Sequence, residues 1–126
     1  MGAYRNVALS ELNLRGISIN AEAGNTTSIS VVASDSGVMF INYETGGDVT
    51  YHLPAVADAA GKMFWFYDTV ATNNIIITAP TNTMMNVNAA INTTITGANA
   101  AGQNVIILCD GATYYAMEFS GVWIST

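Results

Sequence analysis

The residues able to do chemistry are few, and their scarcity is informative. His52 is the only histidine and Cys109 the only cysteine in 126 residues. A Ser–His–Asp arrangement would have to use His52, yet no Asp or Cys stands near it in the sequence to orient the ring. A surface or interface histidine is the better reading, with a pH-sensing role at a subunit contact as the other. One cysteine and one histidine do not make a zinc ligand set. The nine acids are scattered, and only Asp35, Glu44 and Asp48 gather, around two adjacent turns; solvated turn residues explain them better than a calcium site. Tyr51, Trp65, Tyr67, Tyr114, Tyr115 and Trp123 could line a sugar-binding surface, but each also falls where a strand aromatic packs well. Gly46-Gly47 and Gly97 to Gly102 lack the Lys-Ser/Thr of a phosphate loop. No enzyme, cofactor or metal is expected.

The elements that would position these residues are strands. Val49, Tyr51 and Leu53 alternate with Thr50 and His52, a period of two that gives a strand one buried face. Pro54 ends it, and the small residues of 55–61 turn the chain. Met63 to Tyr67 is apolar on both faces. One face should fill the core, and the other should meet a second sheet or a neighbouring subunit. Ile75 to Thr78 follows and stops at Pro80. Ile29–Ala33 and Val38–Tyr43 precede this trio, separated by Asp35-Ser36-Gly37, and Met84–Val87 and Ile91–Ile95 come after it. Val105–Cys109, Asp110-Gly111 and Thr113–Phe119 form a hairpin signal, and Val122–Ile124 closes the chain. The expected fold is all-β: an antiparallel β-sandwich or jelly-roll-like barrel of about ten short strands, with an extended N-terminal arm. No repeat period stands out.

Composition narrows the function. Half the chain, 51%, is hydrophobic and only 10% is charged, against roughly 25% in an ordinary domain. Charge depletion marks interface cores, so obligate assembly is favoured over a monomer with a Thr/Asn-rich surface. A net charge of −6 argues against nucleic acid as a partner. The single cysteine, in an apolar run, reads as a buried reduced thiol. No apolar stretch approaches the ~20 residues of a membrane span, and the first residues lack a signal peptide's apolar centre; a cytosolic product without a membrane partner is expected. Residues 1–28 differ from the body at 29–126. Their apolar side chains are irregularly spaced, and they carry Arg5 and Arg15 against an acidic remainder. An edge strand on the chain's own core and an arm reaching a neighbour explain them equally well.

Four ordered pieces carry a resemblance. They are Val49-Thr50-Tyr51-His52-Leu53-Pro54, Gly61 to Asp68, Asn74 to Pro80, and Asn104 to Tyr115, with Gly121-Val122-Trp123 in the closing place. Over residues 49–124 this order resembles that of small β-rich virion proteins of tailed bacteriophages, found in head decoration proteins and in modules of tail fibres. A free-standing module with a docking arm fits a capsid decoration (cement) protein better than a fibre, which carries such a module within a longer chain. The resemblance implies a homo-oligomer, a trimer before a dimer, bound to the major capsid protein and bracing the shell after synthesis in the host cytoplasm. The alternative is a fibre or spike module that binds a receptor or glycan. Candidate contacts with capsid or neighbouring subunits are Tyr4, Arg5, Leu9, Leu12, Leu14, Arg15 and Ile17 in the arm, with Phe64 and Phe66 in the strand that is apolar on both faces.

Overall fold

The computed structural model describes residues 16–20, 27–85 and 91–126. Twelve strands lie among them: β1 (Gly16–Asn20), β2 (Ser28–Ser30), β3 (Val38–Asn42), β4 (Val49–His52), β5 (Met63–Asp68), β6 (Ile75–Thr78), β7 (Met84–Met85), β8 (Ile91–Asn92), β9 (Thr94–Gly97), β10 (Asn104–Cys109), β11 (Tyr114–Ser120) and β12 (Trp123–Ser125). Among the described residues there is no α-helix, only single 3₁₀ turns at Ala33–Asp35 and Val56–Asp58. The all-β expectation holds. The strands form a seven-stranded sheet in the order β1-β3-β5-β10-β11-β7-β8 and a five-stranded sheet in the order β12-β9-β6-β4-β2.

The antiparallel expectation fails for the first half of the chain. From β2 to β6 the chain alternates between the two sheets at every strand. In the larger sheet β1, β3 and β5 therefore run parallel, and in the smaller one β2, β4 and β6 do. This is the winding of a β-solenoid, with about 21 to 26 residues from one strand to its parallel neighbour. The turns around Asp35-Ser36-Gly37 and Gly46-Gly47, which resemble hairpin signals, instead carry the chain across from one sheet to the other. Gly37, at φ 84, makes the first crossing and donates its N–H to Met63 O at 2.8 Å. Period-two alternation marks which face of a strand is buried, and it is the same for a hairpin and for a coil.

Antiparallel strands end the winding. β10 pairs antiparallel with β5, and β9 with β6. β10 and β11 form the expected hairpin, with Cys109 opposite Tyr114, although its loop holds four residues rather than two. Asp110 organises that loop: its Oδ1 accepts from the N–H groups of Ala112 and Thr113, both at 2.8 Å.

One core lies between the sheets. Phe40 and Phe66 of the larger sheet stack with ring centroids 5.3 Å apart, and Tyr51 of the smaller sheet meets them at 5.6 and 5.0 Å. Phe64, Val105 and Ile107 on one side, and Ile75, Ile77 and Ile95 on the other, are fully buried around them. Tyr114 is also buried, and its hydroxyl donates to Pro54 O at 2.7 Å, tying β11 to the bend after β4. Phe64 and Phe66 are thus core residues with 0% exposure. Their expected place at a subunit contact is corrected: they alternate toward the opposite sheet and have no surface left for a neighbour.

Candidate functional site: the outer face of the larger sheet

Inward-pointing residues fill the core, so their strand neighbours point outward. On the smaller sheet the outer face is the polar one that water requires. One row across it runs Ser28, Thr50, Ile76, Thr96 and Ile124, and another runs Ser30, His52, Thr78 and Thr94. Hydroxyls there bond to one another and to the ring: Thr94 Oγ1 donates to Thr78 Oγ1 at 3.0 Å, and Ser28 Oγ lies 3.0 Å from His52 Nε2.

The larger sheet is the opposite. Its central outer row, strand by strand, is Ile17, Met39, Trp65, Ile106 and Met117. The next row is Met63, Leu108, Tyr115, Met85 and Ile91. Ile41 and Tyr67 extend the face on the other side of the centre. No residue in these rows carries a charge. Ile17 is 55% exposed, Met117 48% and Ile91 46%, whereas Met39, Trp65, Ile106 and Leu108 are half-buried among their neighbours. In the central row apolar side chains cover five registered strands without a break, whereas the row of Ile41 and Tyr67 passes to Asn104 and Ser120 on β10 and β11. A patch of this extent on a protein surface marks an interaction site.

The sequence-predicted contact residues divide into three groups. Ile17 lies on this face. Phe64 and Phe66 point away from it, and Trp65 and Tyr67 of the same strand stand in their place. Tyr4, Arg5, Leu9, Leu12, Leu14 and Arg15 fall outside the described residues. The apolar surplus is visible in the sequence of β3 (VMFIN), β5 (MFWFYD) and β10 (NVIILC), where both phases of the alternation are hydrophobic. Only the register shows that the second phases of five strands join into one surface.

Chemically reactive groups lie elsewhere, and each has a structural occupation. His52 is exposed beside Ser28. That distance would suit a nucleophile and its base, but no carboxylate among the described residues bonds to the other ring nitrogen. Cys109 is a free, buried thiol whose Sγ accepts from Gly111 N–H at 3.4 Å, and burial pushes its pKa up. The three acids near the first turns do not form a group. Asp35 accepts from Val32 N–H at 2.9 Å, and Asp48 holds Asn74 through two bonds of 2.8 and 3.0 Å. Glu44 is not the solvated turn residue its position suggested; it is fully buried and accepts from Gly46 N–H at 2.7 Å. Among the described residues no three His, Cys, Asp or Glu side chains gather as a metal-binding group. Of the aromatics considered for glycan binding, Tyr51, Tyr114 and Trp123 are buried, and Tyr115 remains exposed.

One end of the core is polar. Asp68 Oδ1 accepts from Asn42 Nδ2 at 3.0 Å and from Val70 N–H at 3.1 Å, and Asn42 Oδ1 accepts from Glu44 N–H at 3.0 Å. Asp68 Oδ2 and Tyr51 Oη, both buried, have no hydrogen-bond partner among the described residues. Burial pushes the Asp68 carboxyl above its ordinary pKa, against the two hydrogen bonds to it, and burial together with the Asp68 charge raises that of Tyr51. These groups sit inside the fold and specify its end.

No family model matches the chain, and no curated protein matches it. Among the described residues no helix is long and apolar enough to cross a membrane.

Proposed function

We propose that this chain is a structural protein of a tailed-bacteriophage virion, a capsid decoration protein that acts as a homo-oligomer on the outer surface of the head. The observation that carries the structural reading is the uncharged, apolar outer face of the larger sheet. A protein with that face works when the face is covered. The virion assignment comes from the ordered motifs of residues 49–124, which the fold uses as β4, β5, β6, β10 and β11. Many copies, each burying modest area at about 25 cal/mol per Å², would brace a shell against internal pressure, and uncharged contacts keep the desolvation cost low.

The winding of β1 to β6 favours a second reading, a module of a tail fibre, because coils of this kind stack end on end. The two readings part at the particle. Imaging of assembled virions should place the protein on the head; density on the tail would move the assignment to the fibre, and absence from the particle would end both. Removing residues 1–15 leaves β1 in place and should give a folded body that no longer decorates heads. Full decoration by that variant would refute the grip assigned to the N-terminal segment.

A further inference from the structure

We infer that the outer face of the larger sheet is the surface through which copies of this chain join one another. The inference deepens the structural reading above and rests on it for the purpose the contact serves. Three observations select a second copy as the occupant.

The first is chemical. The face is neutral and apolar on every copy, with Trp65 at its centre and Ile17, Met39, Ile106 and Met117 in register with it. Such a surface is complementary to itself, since apposing two of them brings no charged residue of these rows out of water. The second is the contrast between the sheets. The smaller sheet turns Ser, Thr and His outward, so the chain can make a water-facing sheet and does not do so here.

The third is area. Five strands at about 4.8 Å spacing and five residues at about 3.3 Å rise give a face of about 24 by 17 Å, or about 400 Å² in plan. Two such faces bring about 800 Å² together before side-chain relief and the short strands β7 and β8 are added, and these raise the total toward the roughly 1,200 Å² at which specific interfaces begin. Met85 and Ile91 belong to that extension, in register with Tyr115 of β11, and Ile91 is 46% exposed.

Native mass spectrometry and sedimentation of the full chain should find an oligomer. Met117→Lys places a charge on a side chain that is 48% exposed, so it removes little from its own fold and should weaken association at least about a hundredfold. Trp65→Glu should give single chains outright. Thr50→Lys, on the outer face of the smaller sheet, should leave the oligomer intact. Circular dichroism checks that each variant keeps its strands, and Met117→Lys decides the matter if Trp65→Glu does not fold.

A wild-type protein that stays single-chained at hundreds of micromolar overturns the inference, as does an oligomer that both face variants leave untouched. Two further results would name another occupant. If removal of residues 1–15 turns a single-chain protein into an oligomer, the chain's own N-terminal segment covers the face. If a single-chain protein still decorates heads, the capsid covers it, and the virion role stands without self-association. An oligomer broken by Met117→Lys but absent from the particle would do the reverse.

Discussion

Phe66 and Asp68 lie on the same side of β5, one in the aromatic cluster and the other in the polar end of the core. Phe66→Ala should cost about 3–5 kcal/mol, the range for emptying a fully buried aromatic site, read as a lowered urea midpoint. Asp68→Asn should act in the opposite direction. The carboxyl has a raised pKa because burial disfavours its charge, so the folded state holds its proton more tightly than the unfolded chain does. That contribution is complete below the ordinary aspartate range and is lost as pH rises from there through the folded-state value. Asp110 titrates the other way. Hydrogen bonds from Tyr115 and the loop N–H groups lower its pKa, which favours the fold above the ordinary range, but it is solvent-exposed and screened. Asp68→Asn should therefore flatten the fall in stability between acid and neutral pH and raise the melting temperature at pH 7. An unchanged pH profile would show that the carboxyl is not what titrates.

Gly121 and Gly97 close on one side chain at the level of the element. Gln103, before β10, is 2% exposed and donates from Nε2 to Ala98 O at 2.7 Å. A Cβ on Gly97 would stand 2.9 Å from Gln103 Oε1, and one on Gly121, at φ +97, would run into the same side chain. Gly121→Ala should cost about 1–3 kcal/mol through strain and overpacking, measurable as a lower thermal midpoint with the strands retained.

Most elements are legible in the sequence because each is a local event. Alternation in Val49 to Leu53, the stops at Pro54 and Pro80, and the Asp110-Gly111 turn place β4, β6 and the last hairpin within a residue or two. Partnership is not local. Whether Val38–Asn42 returns beside Ile29 or crosses to the other sheet depends on one 3₁₀ turn and on Gly37, and neither leaves a mark distinct from a hairpin. The candidate site was half-legible for the same reason. Met63 to Tyr67 announces two apolar faces, but which one is the core depends on Phe64 and Phe66 meeting the opposite sheet.

Taken as a whole, the molecule is a parallel coil completed by later antiparallel strands. β9 and β10 cover the edges that β6 and β5 would otherwise present. A chain ending at residue 102 would lack β10 to β12 and leave the β5 edge open, so it should aggregate on expression. The Δ1–15 chain, which keeps every one of the twelve strands, should stay dispersed. Equal behaviour of the two truncations in a sedimentation assay would argue against the closing role of the late strands.

That arrangement also bears on how the protein is made. A ribosome delivers β1 to β6 first, and during that interval each growing sheet ends in an uncovered parallel strand, one of them the aromatic β5. The β6 edge stays open until β9 (Thr94–Gly97) emerges, and the β5 edge until β10 (Asn104–Cys109) does. Nascent chains on crowded polysomes would therefore carry matching sticky borders side by side. If the proposed self-association holds, the order of synthesis sets a race between finishing one fold and starting a shared one.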